Sequence, residues 1–251
     1  MAVLTQSQLT QFDADGFVAL PSFCDAALTK QIDTWSNELV RRPEVAGEHM
    51  VYYEDSLLVT DARVLSRIEN FCPYHPGFDQ LLRGTAVMQL MESALREPAF
   101  LFKDKINFKV PGSDGFRAHQ DVQAGWDVYA PLHLTLMISI DTSTVENGCL
   151  EIARGCPRGQ LLGTMWEPLA DPSPGIEYEA MPTAAGDAVV FDSFVPHRSM
   201  PNGTDTARRV LYVTYNAEAS GDHRAQYYAD KRRNFPPDCE RDPEKTYAFR
   251  V

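Results

Sequence analysis

Cysteine is sparse and scattered in this 251-residue sequence, which has five thiols and no Cys-x-x-Cys pair. The odd number argues against a disulfide framework, and the lack of closely spaced pairs argues against a zinc knuckle. The sequence also has no apolar run long enough to cross a bilayer, and its N-terminus lacks the basic start and long apolar segment of a signal peptide. We therefore expect a cytoplasmic protein with reduced thiols and no membrane partner.

Positive charge is also scarce, since 23 Lys and Arg stand against 35 Asp and Glu, for a net charge of -12. A nucleic-acid partner would reward clustered Lys and Arg, so we expect none. We therefore expect a small-molecule substrate. It can be anionic despite the net negative charge of the protein if the binding pocket itself is basic. The sequence shows no internal repeat and no low-complexity tract. A chain of this length can bury one core, which predicts a single domain over residues 1–251.

Helical patterns are concentrated in the N-terminal part of the chain. The segment Thr5–Asp15 predicts a short helix that ends at a glycine, and Asp25 is a suitable N-cap for a second helix with an apolar stripe. The segment Phe78–Leu95 also has a helical pattern, which Gly84 interrupts. Near the C-terminus, Gly221–Lys231 predicts a further helix, followed by a charged surface tail.

Strands dominate the chain from residue 99 onward. Alternating or continuously apolar runs predict strands at 102–110, 132–141, 149–153, 188–192 and 208–215, after earlier ones at 17–20 and, as an edge strand, 50–55. A hairpin-type turn at 146–148 would join two of them, residues 67–71 predict a turn or short helix, and the Pro-rich, acidic stretch 166–182 predicts an insert over a barrel. The pattern suggests a mainly β (α+β) jelly roll with buttressing N-terminal helices.

A His-x-Asp pair and a distant histidine form the motif that carries the chemistry. His119 and Asp121 are two residues apart, so on a strand both would point to the same side, and His197 lies before a late strand. Each residue alone could be an ordinary histidine or turn aspartate. Together, two imidazoles and one carboxylate can bind one face of a non-haem Fe(II) and leave the opposite positions open. A structural zinc would require four ligands, whereas a catalytic zinc on these three remains an alternative.

An arginine eleven residues after the second histidine completes the pattern. Arg208 begins an alternating run in which Val210, Tyr212 and Thr214 share its face. A guanidinium directed into a barrel requires an anion, and its planar fork suits a carboxylate. Arg209 is the adjacent alternative, although it should face the other side of the strand.

With these residues, the sequence resembles the phytanoyl-CoA dioxygenase-like (PhyH) family of Fe(II)/2-oxoglutarate-dependent oxygenases over most of its length. The resemblance also includes Asp15-Gly16-Phe17-Val18, the run Lys105–Lys109 and the run Glu146–Glu151. It implies a double-stranded β-helix, the cupin-like form of the jelly roll. It further implies a dioxygenase that hydroxylates an unactivated C–H bond, because halogenating relatives have a small residue at the position of Asp121.

The resemblance also implies the cofactors and their sites. His119, Asp121 and His197 would be the catalytic Fe(II) ligands. The cosubstrate 2-oxoglutarate would chelate the iron and place its far carboxylate on Arg208, with a hydroxyl hydrogen bond from Ser199. O2 is consumed with it, and ascorbate serves as reductant in assays. Further cosubstrate contacts are predicted at Lys105, Asn107 and Thr135, although Lys105 could instead lie on a solvated sheet face.

The resemblance implies a small polar substrate and release of succinate and CO2. Candidate substrate contacts, from the metal motif and the segments around it, are Lys109, Arg117, Gln120, Trp126, Tyr129, His133, Arg198 and Glu69. The aromatic rings could instead pack as a lid, His133 could be a core histidine, and the charged residues could be solvated. The runs at 103–109, 119–124 and 221–231 look most similar to bacterial small-molecule hydroxylases, including the 2-aminoethylphosphonate dioxygenases.

Two other functions fit parts of the pattern. A jelly-roll binding or sensing module would keep the fold without redox chemistry, and would bind its ligand without metal or O2. A metal-dependent isomerase or hydrolase on a cupin-like barrel would use the metal but no 2-oxoglutarate. Loss of Arg208 would leave the activity of such an enzyme unaffected.

Overall fold

The computed structural model describes residues 3–247 of the chain, which form five α-helices and eleven β-strands. The helices are α1 (Gln6–Asp15), α2 (Ala26–Arg41), α3 (Pro76–Leu82), α4 (Thr85–Leu95) and α5 (Arg224–Asn234). The strands are β1 (Phe17–Leu20), β2 (Met50–Asp55), β3 (Arg63–Glu69), β4 (Ala99–Lys109), β5 (Phe116–His119), β6 (His133–Ser139), β7 (Leu150–Ala153), β8 (Tyr178–Met181), β9 (Ala188–Asp192), β10 (His197–Ser199) and β11 (Arg208–Ala217). None of the helices described is long and apolar enough to cross a membrane.

Two antiparallel sheets face each other, and they confirm the predicted jelly roll. The large sheet has the order β1-β9-β6-β11-β4-β3-β2, and the small sheet has the order β5-β10-β7-β8. Between them lies a small apolar cluster in which Leu150 and Ile152 of the small sheet meet Met137 and Val189 of the large one. The outer face of the large sheet packs against the N-terminal helices in a larger cluster, so those helices buttress the barrel as expected.

The N-terminal helices begin and end where their capping residues predict. Thr5 and Gln8 form a capping box at the start of α1, and Gly16 ends that helix at a φ of 77°, a conformation that glycine adopts without strain. Asp25 accepts a hydrogen bond from the backbone N–H of Leu28 at 2.8 Å and so caps α2. Local capping interactions therefore account for both ends of α1 and for the start of α2.

The predicted helix over Phe78–Leu95 is two helices, α3 and α4, with the break at Gly84. This glycine is extended, with φ -70° and ψ 149°, and is the N-cap of α4. A Cβ at this position would lie 2.4 Å from the carbonyl oxygen of Gln80. The chain therefore turns here through a contact too close for any other side chain.

Three connections differ from the sequence prediction. Residues 67–71 are not a turn or short helix, because 67–69 complete β3, which pairs with β4 through Arg67↔Asn107 and Glu69↔Lys105. The turn at 146–148 is not a hairpin, because β6 lies in the large sheet and β7 in the small one. The stretch 166–182 is not wholly an insert, since 178–181 form β8 on the edge of the small sheet.

The segment after α5 is anchored rather than loose as far as the described residues extend. Asp238 accepts hydrogen bonds from the backbone N–H of Tyr53 and from Arg63, and Glu240 accepts from the backbone N–H of Gly47. The predicted charged surface tail is thus hydrogen-bonded to the β2–β3 region at residues 238–240, and its last four residues lie outside the described part of the chain.

Candidate active site

Three potential metal ligands meet at one end of the small sheet. His119 is the last residue of β5, His197 is the first residue of β10, and the two positions pair across the strands. Asp121 does not continue β5 as predicted, because it begins a 3-10 turn over Asp121–Ala124. The turn still directs the carboxylate toward both rings, at 3.9 Å from Nε2 of His119 and 4.0 Å from Nε2 of His197.

The hydrogen bonds of the two rings leave the metal-binding nitrogens available. Nδ1 of His119 lies 2.7 Å from the carbonyl oxygen of Arg117, and Nδ1 of His197 lies 3.0 Å from that of Val195. A carbonyl oxygen can only accept, so each Nδ1 carries the hydrogen and each Nε2 keeps its lone pair. Burial, together with the neighbouring His197 ring, lowers the pKa of His119 to about 3, so the ring is neutral as a metal ligand must be.

The three side chains fit a catalytic metal ion. Their ligand atoms all lie within 4.8 Å of one another, and among the described residues no other group of His, Cys, Asp or Glu does so. Only three protein ligands converge, which leaves open positions on the metal, as in the two-histidine, one-carboxylate sites of non-haem iron. Burial alone would raise the pKa of Asp121, but nearby positive charge, including the Lys105 and Lys103 ammonium groups, holds it below its ordinary value, so the carboxylate is ionised.

A threonine of the large sheet supports the carboxylate. The Thr135 hydroxyl donates to Oδ2 of Asp121 at 3.4 Å and lies 3.1 Å from the hydroxyl of Thr214. Thr135 is predicted as a cosubstrate contact, and it lines a small pocket beside the three ligands. Its hydrogen bond to Asp121 also fixes the orientation of that carboxylate.

Arg208 lies inside the barrel, as its position in the sequence predicts. It is 2% exposed, its Nη2 donates to the carbonyl oxygen of Gly148, and its Nε has no hydrogen-bond partner among the described residues. Its strand partner Lys109 donates to the hydroxyl of Ser199 at 2.8 Å and to the carbonyl of Met200. The neighbouring Arg209 faces the opposite side and pairs with carboxylates on the outer face of the sheet.

A cavity of about 530 Å³ opens beside the ligands, and it is here called the large cavity only to distinguish it from the small pocket lined by Thr135. Among its lining residues are two metal-ligand candidates, six further charged residues from strands and α5, and a group of aromatic side chains. The charged residues are Arg67, Glu69, Lys103, Lys105, Asp230 and Lys231, and the aromatic ones include Phe116, Trp126, Tyr129, Tyr227 and Phe235. Such a site is apolar around most of its wall and has charge at a few fixed positions.

The inner face of the large sheet explains why these charges lie together. Along β4 the residues Lys103, Lys105, Asn107 and Lys109 alternate to one face, as the sequence predicts, and β3 places Glu69 beside Lys105. Glu69 is fully buried and accepts from Lys231 of α5. Although burial alone would raise the pKa of Glu69, Lys231, Lys103 and Arg67 hold it below its ordinary value.

Four basic residues line this cavity, and its carboxylates are those of Glu69, Asp121 and Asp230. Neither Lys103 nor Lys105 forms a hydrogen bond or an ion pair with the residues the structure describes. Burial, together with the Lys103 ammonium, lowers the pKa of Lys105 to about 7. Ammonium groups that line a cavity and have no acceptor from the protein favour an anionic ligand there.

Several predicted substrate contacts do line this space, and others do not. Glu69, Trp126 and Tyr129 line the large cavity, and the Tyr129 hydroxyl donates to Asp230. Lys105, which is predicted as a cosubstrate contact, lines the same cavity. Lys109 lies with Arg208 instead, at the opposite end of the same strand face.

Two of the candidates line neither this cavity nor the small pocket beside the metal ligands. The Gln120 side chain is fully buried and donates to the carbonyls of Gln160 and Phe194. It therefore holds the segments around these two residues in place. His133 is 1% exposed and packs on Phe102 with ring centroids 4.4 Å apart, and its Nε2 has no hydrogen-bond partner among the described residues.

Arg117 and Arg198 line a second cavity, of about 560 Å³, on the other side of Phe116. Arg198 is held there by Glu151 and Asp171, so its charge is already neutralised. Arg117 is exposed. Both residues lie beside the metal-ligand group rather than in the large cavity.

The sequence did not single out Lys103, Tyr212, Tyr227 or Lys231. Lys103 and Tyr212 were visible in the alternation of β4 and β11, which places them on the inner face. Tyr227 and Lys231 come from α5, and no local signal shows that this helix closes over the barrel.

Solved structures place the fold. The chain matches EctD from S. alaskensis with 2-oxoglutarate and 5-hydroxyectoine at a TM-score of 0.72, with 19% identity over 86% of this chain and 77% of that one. It matches the epimerase SnoN in complex with Fe3+, alpha ketoglutarate and nogalamycin RO at 0.70, with 18% identity over 98% and 92%. The fold is therefore the jelly roll of 2-oxoglutarate-dependent oxygenases.

Comparison with related sequences identifies the family to which the chain belongs. The family model described as phytanoyl-CoA dioxygenase (PhyH) matches residues 12–210, and the chain belongs to that family. It is 40% identical to a 2-aminoethylphosphonate dioxygenase of Uncultured bacterium HF130_AEPn_1 over 99% of this chain and 95% of the relative. It is 38% identical to a methylphosphonate hydroxylase of Gimesia maris over 92% and 88%. The predicted iron- and 2-oxoglutarate-dependent dioxygenase is confirmed.

Proposed function

We propose that this protein hydroxylates a C–H bond of a small phosphonate such as 2-aminoethylphosphonate. One O2 and one 2-oxoglutarate are consumed for each hydroxylated product, with succinate and CO2 released. The observation that supports an anionic substrate is the wall of the large cavity, where Lys103 and Lys105 have no hydrogen-bond acceptor among the described residues. Two relatives of at least 38% identity are named for phosphonates, which supports the same substrate class.

We assign the iron to His119, Asp121 and His197, because their donor atoms converge and their other hydrogen-bonding positions are already used. Bound Fe(II), with 2-oxoglutarate and O2, supplies the oxidation of the substrate C–H bond. The protein contributes the geometry of the three ligands. Thr135 acts on Asp121 as a positioning residue.

We assign the far carboxylate of 2-oxoglutarate to Arg208 and Lys109. Both are buried, they pair across β11 and β4, and the Nε of Arg208 lacks an acceptor in the described structure. The Ser199 hydroxyl accepts from Lys109 and can donate its own hydrogen to the carboxylate. Asn107, whose Oδ1 is also unpaired, and Lys105 lie further along the same face toward the metal ligands.

The aromatic residues of the large cavity exclude water from the substrate. Trp126 is 3% exposed and Tyr227 is 7% exposed, and both pack around Phe102. A dry wall strengthens each charge–charge contact with an anionic substrate. Glu69 keeps Lys231 and Arg67 oriented, so the cations remain at fixed positions.

The test is turnover with a panel of small molecules in the presence of Fe(II), ascorbate, 2-oxoglutarate and O2. The panel contains 2-aminoethylphosphonate, methylphosphonate, amino acids, betaines and acyl thioesters. We expect succinate and a hydroxylated phosphonate in equal amounts, and only slow succinate formation without substrate. Hydroxylation of a betaine or acyl thioester in preference to the phosphonates would contradict the substrate class. Ligand binding without O2 consumption would favour the sensing module.

We further propose that residues 1–251 act as one domain in the cytoplasm. The family model spans 12–210, and strands from both halves of the chain interleave in the large sheet, which supports one unit. Five free cysteines fit a reducing compartment.

A further inference from the structure

Lys103 is a buried cation for which the barrel itself provides no acceptor. It is 9% exposed, and its ammonium lies 5.0 Å from the centroid of the Trp126 ring and 5.7 Å from that of Tyr227. Ring faces offset part of the cost of burying an ammonium, but they do not use its three N–H donors. Among the described residues no oxygen accepts from it, so its donors remain available to a ligand.

Lys103 is also far from the proposed anchor of 2-oxoglutarate. It pairs with Thr214 on β11, whereas Lys109 pairs with Arg208, and the two lysines are six residues apart on one strand face. At the rise of an extended strand this separates their Cα atoms by about 20 Å. A five-carbon diacid held at Arg208 and chelated at the metal does not extend to Lys103.

Lys103 nevertheless lies beside the metal ligands. It lines the large cavity together with His119 and Asp121, and it also lines the small pocket between the sheets. Lys105, two residues along on the same face, lines both spaces as well, with its ammonium 4.9 Å from the Tyr212 ring. Two ammonium groups on adjacent inward positions can converge on one group of two or more negative oxygens.

We propose that Lys103, assisted by Lys105, forms the subsite for the dianionic phosphonate of the substrate and sets the preference for that group. This rests on the proposed function, since it assigns an anionic substrate to the same cavity. Lys103 binds the oxygens on the side away from Arg208, so the carbon next to phosphorus is held near the metal ligands. The cosubstrate and the substrate thereby use separate cations of one strand.

The test measures equilibrium binding without turnover. Wild-type and Lys103→Met proteins are loaded anaerobically with Fe(II) and 2-oxoglutarate, and the change in the charge-transfer band is titrated with 2-aminoethylphosphonate and with its monomethyl ester. We expect Lys103→Met to raise the Kd of the phosphonate about tenfold or more, as loss of a charged hydrogen bond predicts. The Kd of 2-oxoglutarate should change less than about threefold.

The ester provides an internal control, because it lacks one negative charge at the same position. Wild-type protein should prefer the phosphonate to its ester, and Lys103→Met should lose most of that preference. The exposed Lys30→Met serves as the matched variant and should behave as wild type. If Lys103→Met does not fold, Lys103→Gln takes its place. The preference for the phosphonate over its ester is then compared between Lys103→Gln and the wild-type protein.

Three outcomes would overturn the assignment. An unchanged phosphonate Kd in Lys103→Met would show that this lysine only balances buried charge. An equal rise in the Kd of 2-oxoglutarate would place Lys103 on the cosubstrate instead. Equal binding of the phosphonate and its ester by the wild-type protein would remove the dianion subsite. None of these three outcomes would affect the proposed function, which is tested by coupled formation of succinate and hydroxyphosphonate. If the wild-type protein forms no hydroxyphosphonate, the proposed function itself is refuted.

Discussion

His119 and His197 occupy directly paired positions on β5 and β10, and their ring centroids lie 4.3 Å apart. In both cases the ring Nδ1 contacts the backbone carbonyl two residues earlier in the chain. The same local arrangement is thus repeated on two antiparallel strands, and it turns both Nε2 atoms toward one point. The backbone therefore orients the two imidazoles, and Asp121 adds the carboxylate from the adjacent 3-10 turn.

The carboxylate at this point should be necessary for metal binding. Asp121→Ala leaves two ligands of the three, and we expect Fe(II) affinity to fall by more than the roughly 100-fold seen when supporting residues outside the coordination sphere are lost. Hydroxylation should be abolished. Anaerobic Fe(II) titration measures the first effect, and coupled product formation measures the second.

The matched control for Asp121→Ala is Asp127→Ala, which removes a nearby exposed carboxylate. It should bind Fe(II) as the wild-type protein does. Wild-type Fe(II) affinity in Asp121→Ala would contradict the assignment of this residue to the metal.

The adjacent arginines of β11 should have separable effects. Arg208→Met removes a buried cation of the proposed cosubstrate site, and loss of charged hydrogen bonds predicts an increase of about tenfold or more in the Kd of 2-oxoglutarate. Arg209→Met removes ion pairs with Asp141 and Asp33 on the outer face, so it should reduce the free energy of unfolding by about 1 kcal/mol. Titration of 2-oxoglutarate and urea unfolding measure these effects, and an equal change of cosubstrate affinity in both variants would contradict the assignment.

Local chemistry explains why much of this fold could be predicted from sequence. Caps such as Thr5 and Asp25 act within three or four residues, so their helices begin as predicted. Alternation along β4 and β11 assigns faces without knowledge of the partner strand, so it predicts that Arg208 points inward and that Lys105 shares a face with Lys103 and Lys109. The alternation does not determine whether that face of β4 is inside or solvated. The metal motif and the role of the basic anchor depend in addition on the family resemblance, because Asp121 lies in a 3-10 turn and not on the strand of His119.

Tertiary contacts decide the features that the sequence did not predict. Residues 67–69 become strand because β4 supplies their partners, and Arg67 and Glu69 give no apolar alternation to show it. Gln120 resembled a pocket residue, but its amide is used by carbonyls 40 and 74 residues away. Lys231 reaches the cavity only because α5 folds back over the barrel, 162 residues along the chain from its partner Glu69.

The buried carboxylate of the cavity wall should be important for stability. Glu69 is 0% exposed and is held by Lys231 and Arg67, with Arg67 Nε at 2.9 Å. Glu69→Gln removes its negative charge and leaves the surrounding cations uncompensated, which for a buried network costs about 3–5 kcal/mol. Urea unfolding should show this loss, whereas the exposed Glu97→Gln should remain within about 0.5 kcal/mol of wild type.

An anionic ligand would recover part of the stability lost in Glu69→Gln, because it faces the same cations. We therefore expect 2-aminoethylphosphonate to raise the unfolding midpoint more in this variant than 2-oxoglutarate does. A variant as stable as wild type would show that the wall tolerates its positive charge without Glu69.

Phosphonate binding should depend on pH through Lys105. Burial and the Lys103 ammonium lower the pKa of Lys105 to about 7, so above that pH the free protein has largely lost this proton. A bound dianion favours the charged ammonium and raises the pKa again. Binding must then take up a proton, and affinity should fall toward about tenfold per pH unit as the pH rises through 8 and 9.

Calorimetry in two buffers of different ionisation enthalpy measures this proton uptake directly. The probe is 2-aminoethylphosphonate between about pH 8 and pH 9, where its own groups do not titrate appreciably. Lys105→Met should abolish the uptake and flatten the pH dependence of the Kd, whereas the exposed Lys30→Met should retain both. Proton release on binding, or uptake that persists in Lys105→Met, would mean that the titrating group lies elsewhere in the cavity. The sign of the proton flux therefore tests whether this ammonium meets the substrate.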